Sequence, residues 1–327
     1  MKLPRRKFLR LAAGVAALCI LVVSMFTYGA SSQTTRTIKI VVPFPPGGNT
    51  DLLARLLAEQ IGRVQGATIV VENRPGAGTI IGTEAVARAT PDGNTLLITT
   101  PPFIINPHLR AVNYDALTSF EPICYLAREP MFIVVNSASP YRTLPELFNA
   151  ARARPAQLTL ASVGPASTFH IIFEKLKRAA NINMTFVPYP GTGQAMNALL
   201  GEHVTSVFAT YAVVAQQLNA GKIRALATAS NTRIEPLPNV ATISEYYKDI
   251  EADTWGALAA PAKTPKDTVS QLVGWFAAAL QVPEVRAKLV LQGFYPVDMC
   301  GADFGAFLQK RYEEFGRVIR EANIKAE

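Results

Sequence analysis

Apolar runs of strand length alternate with amphipathic segments along most of the chain. The apolar runs are short enough for strands, whereas the segments between them repeat apolar residues at helical spacing. Strands are predicted at 38–42, 68–72, 96–99, 132–136, 158–161, 185–188, 205–208, 223–229 and 256–260. Helices are predicted at 51–63, 82–88, 144–153, 167–180, 194–200, 212–219, 266–281, 283–293 and 303–322. This order predicts an α/β protein whose sheets carry helices on both faces.

The alternation forms two successive units with no Gly/Ser-rich linker between them. We therefore expect strands to cross directly between two lobes, at 132–136 and near 254–260. Each lobe is predicted to be a mostly parallel sheet flanked by helices. Residues 36–136 together with 254–327 are assigned to the first lobe and residues 137–253 to the second. A ligand is expected in the cleft between the lobes.

The N-terminal residues 1–32 differ from the rest of the chain. Basic residues precede an apolar run at 11–26, and small residues follow it at 29–32, in the order of an export signal. The run is shorter than the roughly 20 residues that a membrane-spanning helix needs. We predict a cleaved signal and a mature protein in the periplasm. The pair Arg5-Arg6 resembles a twin-arginine signal, although general secretory export stays open.

The mature part of the chain is less basic than the net charge of the whole chain indicates. The formal net charge is +8, but the predicted signal contributes basic residues and no acidic ones. The mature part keeps a small positive balance, which suits an anionic small ligand. It has no Lys/Arg-rich run with interleaved aromatic residues, so nucleic acid is not expected as a partner.

Two cysteines remain after removal of the signal, Cys124 and Cys300. The periplasm permits disulfides, but whether these two residues are bridged stays open at the level of sequence. The histidines His108, His170 and His203 are scattered singly, and there is no CxxC pair. A metal site built by the protein is therefore not expected.

The turn at residues 43–51, directly after the first strand, is a candidate for ligand binding. Its glycines let a ligand approach the backbone, and free N–H groups at the start of the next helix favour an anion. Alternatively, it is an ordinary tight turn in which a polar residue caps the helix. The candidate residues of this turn are Phe44, Gly47, Gly48, Asn49, Thr50 and Asp51.

The turn at residues 73–82 contains Gly76, Gly78 and Gly82, a spacing that resembles the dinucleotide-binding fingerprint. The glycines do not directly follow the strand, and the acidic residue expected about 20 positions later is missing from a strand end. A cofactor-dependent oxidoreductase is therefore not favoured, and no cofactor is expected.

The turn at residues 162–168 opens the helix that contains His170. Ser167 or Thr168 is expected to cap this helix, and hydroxyl and N–H groups there suit a carboxylate. Ser167 with His170 also permits the hypothesis of a secreted serine hydrolase. No GxSxG motif surrounds Ser167, and no third residue is evident to orient the imidazole.

Two further loops, 189–193 and 209–211, follow strands of the second unit. Ligands of open α/β sheets bind outside the carboxyl ends of strands, so these loops are expected to meet in one cleft. No loop supplies a convincing acid–base pair, which favours a binding site over an active site, and no catalytic residue is predicted. The other candidate ligand-binding residues are Gly78, Thr79, Thr100, Gly164, Ser167, Thr168, His170, Pro190, Gly191, Thr192, Ala209 and Thr210.

Six passages, taken in order, resemble the solute-binding proteins of tripartite tricarboxylate transporters, also called Bug receptors. They are VVPFPPGGNTD (41–51), VENRPGAG (71–78), ATPDGNTLL (89–97), VPY (187–189), AGKIRALA (220–227) and APAKTP (260–265). The resemblance covers nearly the whole mature chain.

The resemblance implies a two-lobed periplasmic-binding-protein fold, of the Venus flytrap kind, and no catalysis. It implies that a small organic carboxylate is held by backbone N–H groups of first-lobe loops around Gly48 and Gly78. The second-lobe loops expected to select the distal end of the ligand are those at Gly164, Ser167, Gly191 and Thr210. The implied partner is a two-component membrane permease, and the protein itself is expected to be a monomer. Whether a sensor kinase is a second client, or the protein instead serves as a periplasmic sensor input without transport, stays open at the level of sequence.

Two positions depart from the family pattern. Thr205 stands where an Asp is common, and Ala209 stands where members that bind amino acids place an Asp for the ammonium group. An ammonium group buried without a carboxylate would destabilise the complex by several kcal/mol. A non-amino mono- or dicarboxylate is therefore the predicted ligand.

Overall fold

The computed structural model describes residues 36–164, 167–248, 250 and 253–325, and the predicted export signal lies outside them. Strands in this part of the chain form two sheets. The six-stranded sheet contains β1 (Thr37–Val42), β2 (Thr68–Asn73), β3 (Thr95–Thr99), β4 (Phe120–Glu129), β10 (Thr254–Pro261) and β11 (Tyr295–Cys300). The five-stranded sheet contains β5 (Met131–Asn136), β6 (Thr159–Val163), β7 (Thr185–Tyr189), β8 (Ser206–Thr210) and β9 (Ile223–Thr228).

Helices cover the faces of both sheets. They are α1 (Asn49–Gln65), α2 (Ile80–Ala87), α3 (Pro102–Leu109), α4 (Leu144–Ala153), α5 (Thr168–Ala180), α6 (Thr192–Leu200), α7 (Tyr211–Asn219), α8 (Lys266–Gln281), α9 (Pro283–Leu291) and α10 (Ala302–Glu321). Among the described residues, no helix has both the length and the apolar character needed to span a membrane.

The periodicity of the sequence predicted most of these elements to within a few residues, but β4, α3 and β11 were missed. Helix α3 has a proline at its first position and Pro107 in its interior, so its sequence reads as a loop. Strand β11 pairs irregularly with β4, between Pro296 and Met299. Neither segment shows the simple alternation on which the sequence analysis relied.

Both sheets are mixed, whereas the sequence predicted mostly parallel sheets. Strands β1, β2 and β3 are parallel, as are β6, β7 and β8. Strand β5 is antiparallel to β8 and β9, and β10 is antiparallel to β3 and β4. The reason is that β5 and β10 enter their sheets directly from the other lobe. They start at the cleft and run away from it, opposite to strands whose carboxyl ends face the cleft.

The first crossing lies at Pro130, the single residue between β4 and β5. Residues 131–136, which the sequence analysis assigned to the first lobe, pair with the second sheet. The second crossing leads into β10, whose first residue is Thr254. The end of β4 and the start of β10 are paired in the six-stranded sheet, Glu129 with Thr254, so both passages reach this sheet at the same place.

Each sheet is buried on both faces, which keeps the strand ends in fixed positions. In the six-stranded sheet, Ile40 packs with Phe276 on one face, while Leu97 packs with Phe304 on the other. In the five-stranded sheet, Phe208 belongs to a separate core cluster. Full burial of one such side chain stabilises the fold by about 1.5–3 kcal/mol.

Cys124 and Cys300 form a disulfide, which answers the question that the sequence left open. Cys124 lies in β4 and Cys300 at the end of the edge strand β11, and the two residues are paired in the sheet. Their Cα atoms are 4.0 Å apart and separated by 176 residues of chain. The bridge therefore fastens the C-terminal part of the protein to the strand that leads to the first crossing.

Replacement of both cysteines by alanine is expected to lower the free energy of unfolding by about 2–5 kcal/mol, because the bridge restricts the unfolded chain over a long loop. Urea denaturation of the oxidised wild type and of Cys124→Ala/Cys300→Ala measures the difference. Reduced wild type serves as the control and should resemble the variant. Two free thiols in the denatured, unreduced wild type would contradict the bridge.

Candidate functional site

A cavity of about 480 Å³ lies between the two sheets and is lined by residues from both. The predicted site residues among its lining are Phe44, Asn49, Thr50, Gly78, Thr100, Ser167, Thr168, Thr192 and Thr210. The volume is within the range of small-molecule sites. The structure thus brings half of the predicted set together in one place.

The starts of several helices converge on this cavity. Its lining includes Asn49 and Thr50 in the first turn of α1, Thr168 at the start of α5, Thr192 at the start of α6 and Thr210 before α7. Among the described residues, no side chain caps α1, α6 or α7. Free backbone N–H groups and the positive ends of helix dipoles favour an anion at such a place.

The hydroxyl of Thr100 is available to a ligand. Thr100 is only 7% exposed and lines the cavity, and its Oγ1 has no hydrogen-bond partner among the described residues. A buried hydroxyl without a partner destabilises a protein by about 1–3 kcal/mol. A polar ligand atom in the cavity would remove that penalty.

The turn after β1 is held by Asp51, which does not line the cavity. Its carboxylate accepts hydrogen bonds from the backbone N–H of Gly47, from Arg55 Nε and from Asn73 Nδ2, each at 2.9 Å. Burial opposes ionisation of Asp51, but these hydrogen bonds together keep its pKa below the usual value. Asp51 therefore shapes the turn instead of contacting a ligand.

The glycines of the first two turns have structural explanations. Gly47 has a positive φ of 83°, and Gly48 is the N-cap residue of α1. At Gly82, an added Cβ would lie 2.8 Å from the carbonyl oxygen of Arg74 and 2.9 Å from Pro43 Cβ. Close packing of α2 thus accounts for Gly82 without a bound dinucleotide.

The second turn supports the cavity through Asn106. The Asn106 side-chain amide donates to the carbonyl oxygen of Gly78 at 2.8 Å, and Gly78 has a positive φ of 61°. Thr79 is buried behind Gly78 and is not part of the lining. Asn106 itself lines the cavity, although the sequence analysis did not single it out.

Ser167 and His170 do not form a nucleophile–base pair. The Ser167 hydroxyl donates to the carbonyl oxygen of Val163 at 2.6 Å and accepts from the backbone N–H of His170 at 3.2 Å. The His170 imidazole stacks on Phe186, with ring centroids 4.3 Å apart, and burial lowers its pKa. Ser167 is thus the N-cap residue of α5, and His170 lies outside the cavity lining.

Ala209 is fully buried in a core cluster with Phe132 and Val134, and it does not line the cavity. The next residue, Thr210, does. Successive side chains of a strand point to opposite faces, so only one of the two can face the ligand. The remaining predicted residues outside the lining are Gly47, Gly48, Gly164, Pro190 and Gly191.

Several residues of the lining were missed by the sequence analysis, and two of them are charged. Arg110, next to the end of α3, is exposed and has no ion pair within the described residues. Glu129, the last residue of β4, is 8% exposed, and the amide of Asn49 donates to its Oε1 at 2.9 Å. Trp255 and Phe294 add apolar surface. A charged residue at the end of a strand could have indicated Glu129 as a site residue, but strand β4 was not predicted from the sequence.

The described ranges contain no group of three or more His, Cys, Asp or Glu side chains that could hold a metal ion. The chemistry of the cavity is therefore that of hydroxyls, backbone N–H groups, one arginine and one buried carboxyl group. Such a set binds and orients a polar ligand.

Comparison with known proteins gives consistent results. A family model described as "Tripartite tricarboxylate transporter family receptor" matches residues 53–324. BugT of Bordetella pertussis (strain Tohama I) is 33% identical over 319 residues, which are 96% of this chain and 94% of BugT. A solved R. palustris protein with adipate superposes with a TM-score of 0.76 at 31% identity, over 90% of this chain and 99% of that one. MatC from Rhodopseudomonas palustris with bound malate superposes with a TM-score of 0.70 at 26% identity, over 88% of this chain and 99% of MatC.

Substitution of Asp51 tests the architecture of the first turn. Asp51→Asn is expected to lower the free energy of unfolding by about 1–3 kcal/mol at pH 7, because charged hydrogen bonds are lost. The folded pKa of Asp51 lies below its usual value of 3.8, so the stabilisation is complete above pH 3.8 and disappears as the pH falls through the folded pKa. The difference in the free energy of unfolding between Asp51→Asn and the wild type should therefore be smaller at pH 3 than at pH 7.

Urea denaturation at pH 7 and pH 3 measures this difference. Glu59→Gln, an exposed position on the same helix, is the matched control and should change little at either pH. An equal loss of stability at both pH values for Asp51→Asn would show that the charge of Asp51 does not hold the turn.

Proposed function

This chain belongs to the tripartite tricarboxylate transporter receptor family, and from that membership we propose that it captures a small organic carboxylate in the periplasm and delivers it to a two-component membrane permease. It acts in this proposal as a binding protein and not as an enzyme. The ligand is a non-amino mono- or dicarboxylate.

One observation carries the proposal: the uncapped starts of α1, α6 and α7 meet around a cavity between two lobes. An anion in this cavity is stabilised by N–H groups from both lobes at once. Its binding would therefore favour an arrangement in which the lobes are close together. A membrane partner can distinguish such an arrangement from the unliganded one.

The class of ligand is supported by the solved relatives, which hold adipate and malate. Both are small carboxylates, and the cavity of about 480 Å³ has room for molecules of this size. The exposed guanidinium of Arg110 at the cavity offers a second position for negative charge. A carboxylate group at each end of the ligand would match these two positions.

The preference for a non-amino ligand does not rest on Ala209, because that side chain lies in the core. An ammonium group in the cavity would instead have to pair with Glu129, the acidic residue of the described lining. The protonation state of Glu129 therefore decides the preference.

The proposal also requires that the protein is exported to the periplasm. Residues 1–32 carry the basic, apolar and small-residue segments of a signal in the expected order, and a periplasmic receptor must cross the inner membrane. Cleavage near residue 32 would leave the described part of the chain intact.

A thermal-shift screen of the mature protein tests the proposal, with aliphatic, aromatic, tricarboxylic and amino acids as probes. A carboxylate at about 100 times its dissociation constant should add roughly 2.7 kcal/mol of stability. Thr100→Val is expected to weaken binding about tenfold, because it removes a hydroxyl that lacks a protein partner. Isothermal titration measures the change in Kd.

Thr99→Val is the matched control for this experiment. The Thr99 hydroxyl is also buried without a partner among the described residues, but Thr99 does not line the cavity. Its removal should leave Kd unchanged. If no carboxylate stabilises the wild type, the receptor proposal fails; if both variants weaken binding equally, the assignment of Thr100 to the site fails.

A further inference from the structure

Glu129 occupies the boundary between the two lobes. It is the last residue of β4, directly before the crossing at Pro130, and its side chain lines the cavity. The Asn49 amide, from the first turn of α1, donates to Glu129 Oε1 at 2.9 Å. Thr210, at the end of β8, lines the same cavity and is the residue of the second lobe that acts on this carboxyl group. Residues of both lobes thus act on Glu129.

Within the part of the chain that the structure describes, no cation pairs with this buried carboxyl group. Arg128, its neighbour on β4, is engaged by Asp253 at 3.0 Å and lies over the ring of Tyr295. Among the described residues that line the cavity, Arg110 is the charged residue besides Glu129. Arg110 is exposed and lies next to the end of α3. Asp253, before β10, is the acidic group whose charge acts on Glu129. The hydrogen-bond partners of Glu129 within the described residues are neutral.

Burial raises the pKa of Glu129, and the charge of Asp253 acts in the same direction. The hydrogen bonds from Thr210 and Asn49 offset only part of the effect. An ionised Glu129 would also repel the anion that the helix starts attract. Two carboxylates about 4 Å apart repel each other by about 4 kcal/mol at an effective dielectric constant of 20.

We infer that Glu129 binds the ligand as a neutral carboxylic acid whose hydroxyl donates a hydrogen bond to a carboxylate oxygen of the bound anion, an inference that rests on the proposed function. One hydroxyl proton of Glu129 is shared with the ligand, and no bond is broken. A neutral acid presents no charge to an ammonium group. Glu129 thereby determines specificity, in favour of non-amino carboxylates.

This role couples binding of the anion to binding of one proton. Below the pKa of the unliganded Glu129, the proton is already present and affinity is independent of pH. Above that pKa, the protein must take up a proton when the ligand binds, so Kd rises up to tenfold for each pH unit. Burial lowers the pKa values of His108 and His170 from their usual 6.5, which moves their titration away from the range between pH 7 and pH 9.

Isothermal titration of the mature protein with adipate and with malate, from pH 7 to pH 9, tests the inference. Both probes are fully ionised in this range. The wild type is expected to lose affinity for the probe that it binds as the pH rises above the pKa of Glu129, by up to tenfold for each pH unit. Glu129→Gln keeps a neutral hydrogen-bond donor, so its affinity for the same probe should show no dependence on pH.

Glu284→Gln is the control, because Glu284 is exposed and pairs with Lys288 on α9; it should keep the pH profile of the wild type. A flat wild-type profile, or a decline that Glu129→Gln shares, overturns the inference while carboxylate binding itself stands. Binding of amino acids that disappears in Glu129→Gln overturns it as well, since Glu129 would then act as an anion. Absence of binding by both probes at every pH removes the inference, and failure of the whole carboxylate screen removes the proposed function with it.

Discussion

The direct passage of the chain from β4 through Pro130 into β5 is the constraint on which the cleft depends. A single residue separates the two strands, so the sheets are joined without a flexible tether. Strands that run towards the cleft end there, and strands that have just crossed begin there. The carboxyl ends of β3, β6 and β8 and the helices that follow them are consequently placed around one cavity, as expected for ligand sites of open α/β sheets.

The electrostatics of this cavity differ from those of its surroundings. Asp51 and Asp253 are both close to the cleft, and each is paired with an arginine, Arg55 and Arg128 respectively. Glu129 has no such partner among the described residues and lies deeper in the cavity than the exposed Arg110. In the proposed complex, the attraction for an anion therefore comes mainly from oriented backbone N–H groups. Such dipoles tolerate burial better than a buried charge does.

Local sequence patterns were sufficient for much of the architecture. Helix α8 was predicted with its observed bounds because its apolar spacing is regular and Pro265 precedes it. Strands β1 and β2 were recognised as short apolar runs between turn residues. In contrast, α3 contains an internal proline and β4 interrupts its apolar residues with Glu121 and Pro122. Packing in the core stabilises these two segments more than their local propensity does.

The sequence by itself determined the α/β class, the turns that precede helices and the polar character of the candidate site, because these features depend on residues that are neighbours in the chain. It also identified the family through motifs in a fixed order. Tertiary structure alone decided that Cys124 pairs with Cys300, that Thr210 and not Ala209 lines the cavity, and that Glu129 enters the cavity. The last contact joins Glu129 to Asn49 across 80 positions. Pairings over such distances are determined by how the sheets close on each other, which no local pattern records.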